Sequence, residues 1–438
     1  MIPATLTGTP CRSAVEEQLE RILASRFFAK ARQRSRILSF IVKASLDSRP
    51  LSELDILMEF FESRKALNGS TIVRTTCSDI RTLLNNYYRT LGKEDSVVIT
   101  APPKEKYRAV FEYNTDGSAW KECEERWGKM VAEYPAGYSW SLHWVDRLTE
   151  KYPDFAPAFV LRAKLDLWYA IANIAERSPH ELLSSAMTAI RRALDLSPNA
   201  WDAHMVLGTI SVCQLNWEQA AGAFDLASKL DYEQTQNSHW YAAFLLANGR
   251  NAEGLDIARR RSRARPHDLF EETIYGLFLY AAGELDEAEY VFAHLMKLEI
   301  WSTWLAHVGF ACVCIAKARY AKAFDTLKGI YCYLSDKSDS DFVFYPGLMS
   351  LVLFRLGDAE AAERFSRVYI DSLGLDHEFQ RVLDALGFEN VAVMERLVAF
   401  GSRHDPLMAW FHVLPIFDSL RESEAHKILL SRLQPHTL

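Results

Sequence analysis

The spacing of hydrophobic residues changes along the chain, and the changes divide it. Val15, Leu19, Ile22 and Leu23 recur at helical steps and predict an amphipathic helix, with Ser13 and Glu16 as its capping box. Ile37, Leu38, Ile41 and Val42 predict a second helix, approached by Lys30, Arg32, Arg34 and Arg36. Leu54, Leu57, Met58 and Phe61 give a third over 51–61. A long helix begins near Thr71 with a core face of Val73, Cys77, Ile80, Leu84, Tyr87 and Leu91, and Gly92 stops it. The period then drops to two. Residues 96–100 and 107–113 are short β-rich runs around a Pro-Pro-Lys-Glu-Lys tip, which predicts a hairpin. The polar stretch 114–119 is the linker that follows it.

Beyond the linker the pattern repeats. Ala186 and Ala220 are 34 residues apart, as are Gly249 and Gly283, while Gly208/Gly276, Phe224/Phe292 and Pro198/Pro266 are each separated by twice that. Thirty-four is the length of a tetratricopeptide helix-turn-helix unit, in which small residues let paired helices approach and large ones fill the holes. Gly249 and Gly283 fall in the turns between the paired helices. Further along, Ala323 with Leu327 and Gly357 with Ala362 drift to spacings of 35 and 39. The fold class expected is mainly α: a winged helix-turn-helix domain with its β-hairpin over 13–113, then a tetratricopeptide-repeat α-solenoid of about six units over 120–375. A helical stretch over 376–438 is expected to cap the last hydrophobic face.

Composition alters this picture in one respect. With 438 residues, 49% hydrophobic and 24% charged, the chain is too apolar for wholesale disorder. The formal charge of -7 argues against nucleic acid when taken whole. Split at residue 114, it becomes +5 on the N-terminal side, from 18 Lys and Arg against 13 Asp and Glu, and -12 on the rest. The first residues lack the basic start and apolar run of a signal peptide, and the most apolar run, Trp304 to Ala316, is too short to span a bilayer. The seven cysteines are scattered, with no Cys-x-x-Cys, and are expected as reduced thiols in the cytoplasm. No membrane partner is expected.

No catalytic constellation emerges. The chain has no phosphate-binding Gly-Lys-Ser/Thr loop, no Gly-x-Gly-x-x-Gly after a strand, no Gly-x-Ser-x-Gly and no His-Glu-x-x-His. Neither a cofactor nor a metal is expected. His404 and His412 lack Cys or acidic companions at ligand spacing. Trp168, Trp201, Trp217 and Trp240 fall where repeat units pack, so core positions are favoured over an aromatic cage.

The N-terminal basic residues line up instead. Arg74, Ser78, Arg81, Asn85 and, slightly off-axis, Arg89 form one stripe opposite the core face of the long helix. Such long donors and amides suit phosphate oxygens and base edges of double-stranded DNA. Lys104, Lys106 and Arg108 at the hairpin tip stand where a wing would touch the backbone. A solvated basic face is the plainer reading of the stripe alone.

Four stretches carry a family resemblance: EEQLERILASRFFAKARQRSRILSFIVKASL, LSELDILMEFF, TIVRTTCSDIRTLLNNYY and PPKEKYRAVF. In that order they resemble the winged-helix-like domain of bacterial proteins that couple it to tetratricopeptide repeats, relatives of adenylate-cyclase-associated regulators. The closing VLPIFDSLRESEAHKILLSRL is similar to that family's end as well. Glu105 stands where the family has Gly, and Ser70-Thr71 where it has an acidic residue and Pro. The resemblance implies a non-enzymatic, DNA-binding transcriptional regulator whose repeats engage a protein or effector, and a homodimer is open to it because one winged-helix module seldom covers enough DNA for specificity. The alternative is a repeat scaffold for protein partners with a degenerate winged-helix docking domain.

Overall fold

A computed structural model describes residues 10–61, 69–114, 117–125, 138–172, 177–335, 346–367 and 409–420, without positions 11, 106, 118, 120, 124, 267, 299 and 411–412. The chain forms two compact units, the first comprising Met1–Tyr134, Trp140–Arg162 and Ala189–Ala203 and the second the remainder.

The first unit opens with α1 (Arg12–Ala24), α2 (Arg32–Leu46), α3 (Glu53–Phe60) and α4 (Gly69–Tyr88), followed by β1 (Val97–Thr100) and β2 (Val110–Tyr113). The strands pair antiparallel, from Val97 opposite Tyr113 to Thr100 opposite Val110. Val15, Ile22, Ile37, Leu38, Val42, Ile56, Val73, Ile80 and Ile99 are fully buried and form the core. At about 1.5–3 kcal/mol for each large side chain, this burial is the main favourable term here. Polar contacts fix the hairpin. The Ile99 N–H donates to the Tyr88 hydroxyl at 2.7 Å, and the Ala109 N–H donates to Ser45 Oγ at 2.8 Å. Gln18 Nε2 and the Tyr87 hydroxyl both donate to Asp95 Oδ2, at 2.7 and 2.6 Å.

The structure departs from the sequence reading in several places. The α1 helix already includes Arg12, so Ser13 lies inside it and not at the cap. The capping box that forms is at α3, where Ser52 Oγ accepts from the Asp55 N–H at 3.2 Å and Asp55 accepts from the Ser52 N–H at 2.7 Å. The α3 helix also turns Ile56 inward, leaving Leu54 and Met58 63% and 68% exposed. The α4 core face is as expected through Tyr87, but the helix ends at Tyr88 and Leu91 is exposed. A Cβ at Gly92 would lie 2.2 Å from the Tyr87 ring, so the chain passes that ring only as glycine. The strands are shorter than expected because a 3₁₀ turn at Pro103–Glu105 and a left-handed Tyr107 (φ 67°) occupy the tip.

In the same unit the Tyr113 ring meets Phe155 edge-on at 5.4 Å. Phe155 precedes α6 (Ala156–Ala172), itself preceded by α5 (Tyr138–Lys151), and α7 (Pro179–Leu196) follows. The helices then come in pairs: α8 (Trp201–Cys213) with α9 (Trp217–Leu230), and, after a short α10 (Tyr232–Gln236), α11 (His239–Ala247) with α12 (Asn251–Ala264). Next are α13 (Leu269–Ala281) with α14 (Leu285–Leu295), α15 (Ile300–Ala316) with α16 (Tyr320–Ser335), and α17 (Pro346–Arg355) with α18 (Ala359–Phe365).

Each of these pairs turns the same way. Leu215, Gly249, Gly283, Ala318 and Gly357 all hold left-handed backbone, at intervals that begin at 34 residues. The N–H after each reaches back to the first helix: Asn216 to the Ser211 carbonyl at 2.8 Å, Arg250 to Leu245 at 2.9 Å, Glu284 to Leu279 at 2.9 Å, Arg319 to Cys314 at 2.8 Å and Asp358 to Leu353 at 3.1 Å. These bonds satisfy carbonyls that a helix end leaves open, and they stop the first helix at one length.

The recurring Gly and Phe set the distance between paired helices. A Cβ at Gly208 would lie 2.9 Å from the Phe224 ring, and one at Gly276 would lie 2.6 Å from the Phe292 ring. Phe292 also fills the space beside Gly309, where a Cβ would lie 2.4 Å away. One ring thus joins α13, α14 and the first helix of the next pair. Between the same pairs, Glu289 accepts from Lys317 and Arg319, each at 2.8 Å. Those hydrogen bonds, Arg319 foremost, hold its carboxyl at about 2, well below the usual range. Among the described residues no helix is long and apolar enough to cross a membrane.

The notch at Phe292 gives a direct test. Gly276→Ala should lower stability by about 1–3 kcal/mol, as overpacking does. Gly222→Ala, on α9 where a Cβ meets nothing within 4 Å, should be neutral or raise stability by up to about 1 kcal/mol. Equal effects in urea unfolding would contradict the notch.

Candidate functional site

The predicted basic stripe is partly drawn into the fold. Arg81 Nε donates to the Ala101 carbonyl at 2.6 Å, so this side chain ties α4 to the hairpin. Arg74 reaches Glu53 at 3.4 Å while remaining largely exposed. Beside the stripe, Asp79 accepts from Arg34 at 2.6 and 3.1 Å. Ser78 and Asn85 are exposed on α4, Arg89 is exposed in the turn just beyond its end, and Lys104 and Arg108 are exposed at the hairpin tip with Glu105 between them. Lys106 lies outside the described residues, as do His404 and His412. The acids Glu53 and Asp79 were missed as counter-charges. Asp79 is next to Ser78 in sequence, which was the available signal; Glu53 comes from another helix and gave none.

The second unit contains an aromatic cluster on first helices. Trp168 of α6 stacks on Phe270 of α13 at 5.2 Å and meets Trp240 of α11 edge-on at 6.3 Å. The His239 ring lies 4.6 Å from Trp240 and 5.9 Å from Phe270. Trp201 and Trp217 are buried as expected of packing positions, whereas Trp168, His239, Trp240 and Phe270 each keep part of their surface open. Aromatic pairs of this kind add about 0.5–1.5 kcal/mol to simple burial.

Local chemistry holds these rings in place. Ser238 and Asp268 cap α11 and α13, Ser238 accepting from the Trp240 N–H at 3.3 Å and Asp268 from the Phe270 N–H at 3.1 Å. Glu271, only 3% exposed, accepts from Arg261 Nε at 2.8 Å and from Arg265 at 2.9 Å, which anchors the start of α13 to α12. His239 Nε2 is buried with no hydrogen-bond partner. Desolvation, aided by the positive charges of Arg261, Lys164 and Arg265, lowers the imidazole to about 3. The ring is therefore neutral at physiological pH. The cluster is a partly open, aromatic, uncharged surface suited to apolar or aromatic side chains. Among the described residues no group of three or more His, Cys, Asp or Glu is placed to hold a metal.

A third feature lies on the same set of helices. The 3₁₀ segment Pro415–Leu420 packs against α15. Its Ile416 N–H donates to the Tyr280 hydroxyl of α13 at 3.0 Å, and Trp410 Nε1 donates to the Ala243 carbonyl of α11 at 3.2 Å. Most of the expected cap over 376–438 lies outside the described residues, and this described part sits on three successive first helices.

In the second unit, adjacent helix pairs pack in the manner of a tetratricopeptide α-solenoid, within a mainly α-helical chain that also carries an N-terminal β-hairpin. No family model matches the chain, and no curated protein matches it. Among solved structures it is similar to the human IFIT1 dimer with m7Gppp-AAAA, at 14% identity and a TM-score of 0.41, covering 98% of this chain and 91% of that one. It is similar to yeast Tom70 at 12% identity and a TM-score of 0.39, covering 96% and 86%. Pseudomonas aeruginosa PilF aligns at 17% identity and a TM-score of 0.32, covering 50% and 93%.

The neutral His239 makes stability depend on pH. Its folded pKa is depressed, so its contribution is complete above the unfolded value of about 6.5 and is lost as pH falls from there towards 3. Between pH 7.5 and 5.5 the native chain should lose about 1 kcal/mol more stability than His239→Phe in urea unfolding. Parallel curves for the two would contradict a buried neutral imidazole.

Proposed function

We propose that the chain is a non-enzymatic interaction scaffold whose repeat helices bind a peptide segment of a protein partner. The observation that carries this reading is the set of partly open aromatic side chains, Trp168 on α6 with His239, Trp240 and Phe270 at the capped starts of α11 and α13. Rigid rings give a large apolar contact at small entropic cost, and helical repeats present them at fixed intervals. The test is affinity capture with the full chain, followed by reconstitution with the captured protein. A stoichiometric partner should bind at least about tenfold more weakly to folded Trp168→Ala or Trp240→Ala chains, as expected for aromatic anchors. A partner indifferent to both substitutions, or capture of DNA alone, would sink this reading.

A second reading is supported by the exposed Ser78 and Asn85 on α4, Arg89 just beyond it, and Lys104 and Arg108 at the hairpin tip. Here the N-terminal helices and hairpin act as a winged helix on double-stranded DNA, and a pair of chains would cover two half-sites. The acids at Glu53, Asp79 and Glu105 weigh against it, since each lowers the positive charge offered to phosphate. Fluorescence polarisation with mixed-sequence duplex DNA decides. This reading expects binding that weakens steeply with salt and is reduced by Arg89→Glu and Arg108→Glu; absence of binding at about 50 mM salt ends it.

A further inference from the structure

The segment on the first helices bears on how the array is used. Ala242 to Ala247 of α11 are all buried, and six successive residues at 100° each go right round a helix. A helix covered on every side needs neighbours on every side. Its own partner α12 and the adjacent α13 supply part of that cover. Trp410, bonded to the Ala243 carbonyl, supplies more. On α13 the buried Tyr280 directs its hydroxyl to the Ile416 N–H, and on α15 the 3₁₀ segment lies against an apolar helix. Ala409, Pro415, Ile416 and Phe417 are buried there, Phe417 to 1%, while Asp418 is exposed.

Three features distinguish this contact from the packing that builds the array. Among the described residues the segment's own backbone hydrogen bonds are short-range turns, the Val413 and Phe417 N–H groups donating to the Trp410 and Leu414 carbonyls at 3.0 and 3.1 Å. It presents itself to the helices as a peptide would. Second, neither of its two named hydrogen bonds to the helices would leave a buried orphan on departure. Ala243 is within α11, where its carbonyl has the helical acceptor role, and the Tyr280 hydroxyl would be open to water once Ile416 had gone. Third, its named contacts among the described residues fall on first helices alone. Those helices are α11, α13 and α15, the first members of three successive pairs.

We infer that Ala409–Leu420 is an intrachain occupant of the array's peptide-binding face, and that a partner bearing a comparable Trp and Pro-Ile-Phe pattern binds by displacing it. This rests on the scaffold reading above. A tethered segment has an effective concentration of about millimolar, so it holds a face of modest intrinsic affinity against a dilute competitor. Access to the face then depends on whatever releases the segment, and partner strength is judged against this internal competitor.

The experiment uses the full chain, the full-length double variant W410A/F417A and a fluorescein-labelled synthetic peptide of residues 405–422. The double variant should keep its helical circular dichroism and its monomeric or oligomeric state, and should bind the peptide at least about tenfold more tightly than the native chain does. Adding Tyr280→Phe to that background should weaken peptide binding about fivefold, the worth of one hydrogen bond. A folded double variant that binds the peptide no better than the native chain overturns the inference. So does a double variant that loses its helices cooperatively, because the segment would then be part of the folding core. The failures are separable: a protein partner that binds native and double-variant chains equally defeats the occupant and leaves the scaffold. Peptide binding without any partner sensitive to Trp168 and Trp240 does the reverse.

Discussion

The second unit depends on one close approach, a phenylalanine ring set against the bare backbone of a glycine on the helix it packs against. Phe292 touches the sites of Gly276 and Gly309 so closely that a methyl group at either would overlap the ring. The contact fixes the separation of α13 from α14 and of α14 from α15, and Phe224 against Gly208 sets that of α8 from α9 two repeat lengths earlier. Left-handed turns then determine where each first helix stops. Together these constraints bring successive first helices side by side and leave a common face on them. The aromatic cluster and the C-terminal segment both lie on such helices, so the surfaces proposed above for binding are consequences of backbone sterics elsewhere.

The same sterics explain what could be read from the sequence. Glycine and phenylalanine at fixed intervals have few substitutes where a ring meets a backbone, so the 34-residue period was visible in residue types alone. The α4 core face was legible for a similar reason, since a long helix samples its burial pattern several times. The short α3 did not permit this: with eight residues, either Ile56 or the Leu54–Met58 side could have faced inward, and tertiary contacts chose Ile56. Turn positions at Leu215 and Ala318 escaped notice because neither is glycine, although both take the left-handed backbone. Nor could local pattern foresee that Arg81 would spend its donor on Ala101, or that Trp410 would bond Ala243, 167 residues earlier in the chain.

Charge and shape divide the labour differently from the sequence's first suggestion. The positive balance of the N-terminal region is real, yet Arg34, Arg74 and Arg81 all have acceptors within the fold. The scaffold proposal puts recognition on the repeat helices instead. The aromatic cluster there holds His239 neutral, and its charged neighbours Arg261 and Arg265 are already satisfied by Glu271. A surface of that kind selects side chains by fit and stacking, and on the inference above the chain supplies a peptide of its own to the same set of helices.

Native-state hydrogen exchange on the full chain tests this account most directly. Residues 409–420 should be protected, and should open with a distinctly smaller free energy than α11, α13 and α15, whose amides should exchange later. Exchange of the segment and those helices as a single cooperative unit, or a segment unprotected from the start, would contradict an occupant that the face holds and can release.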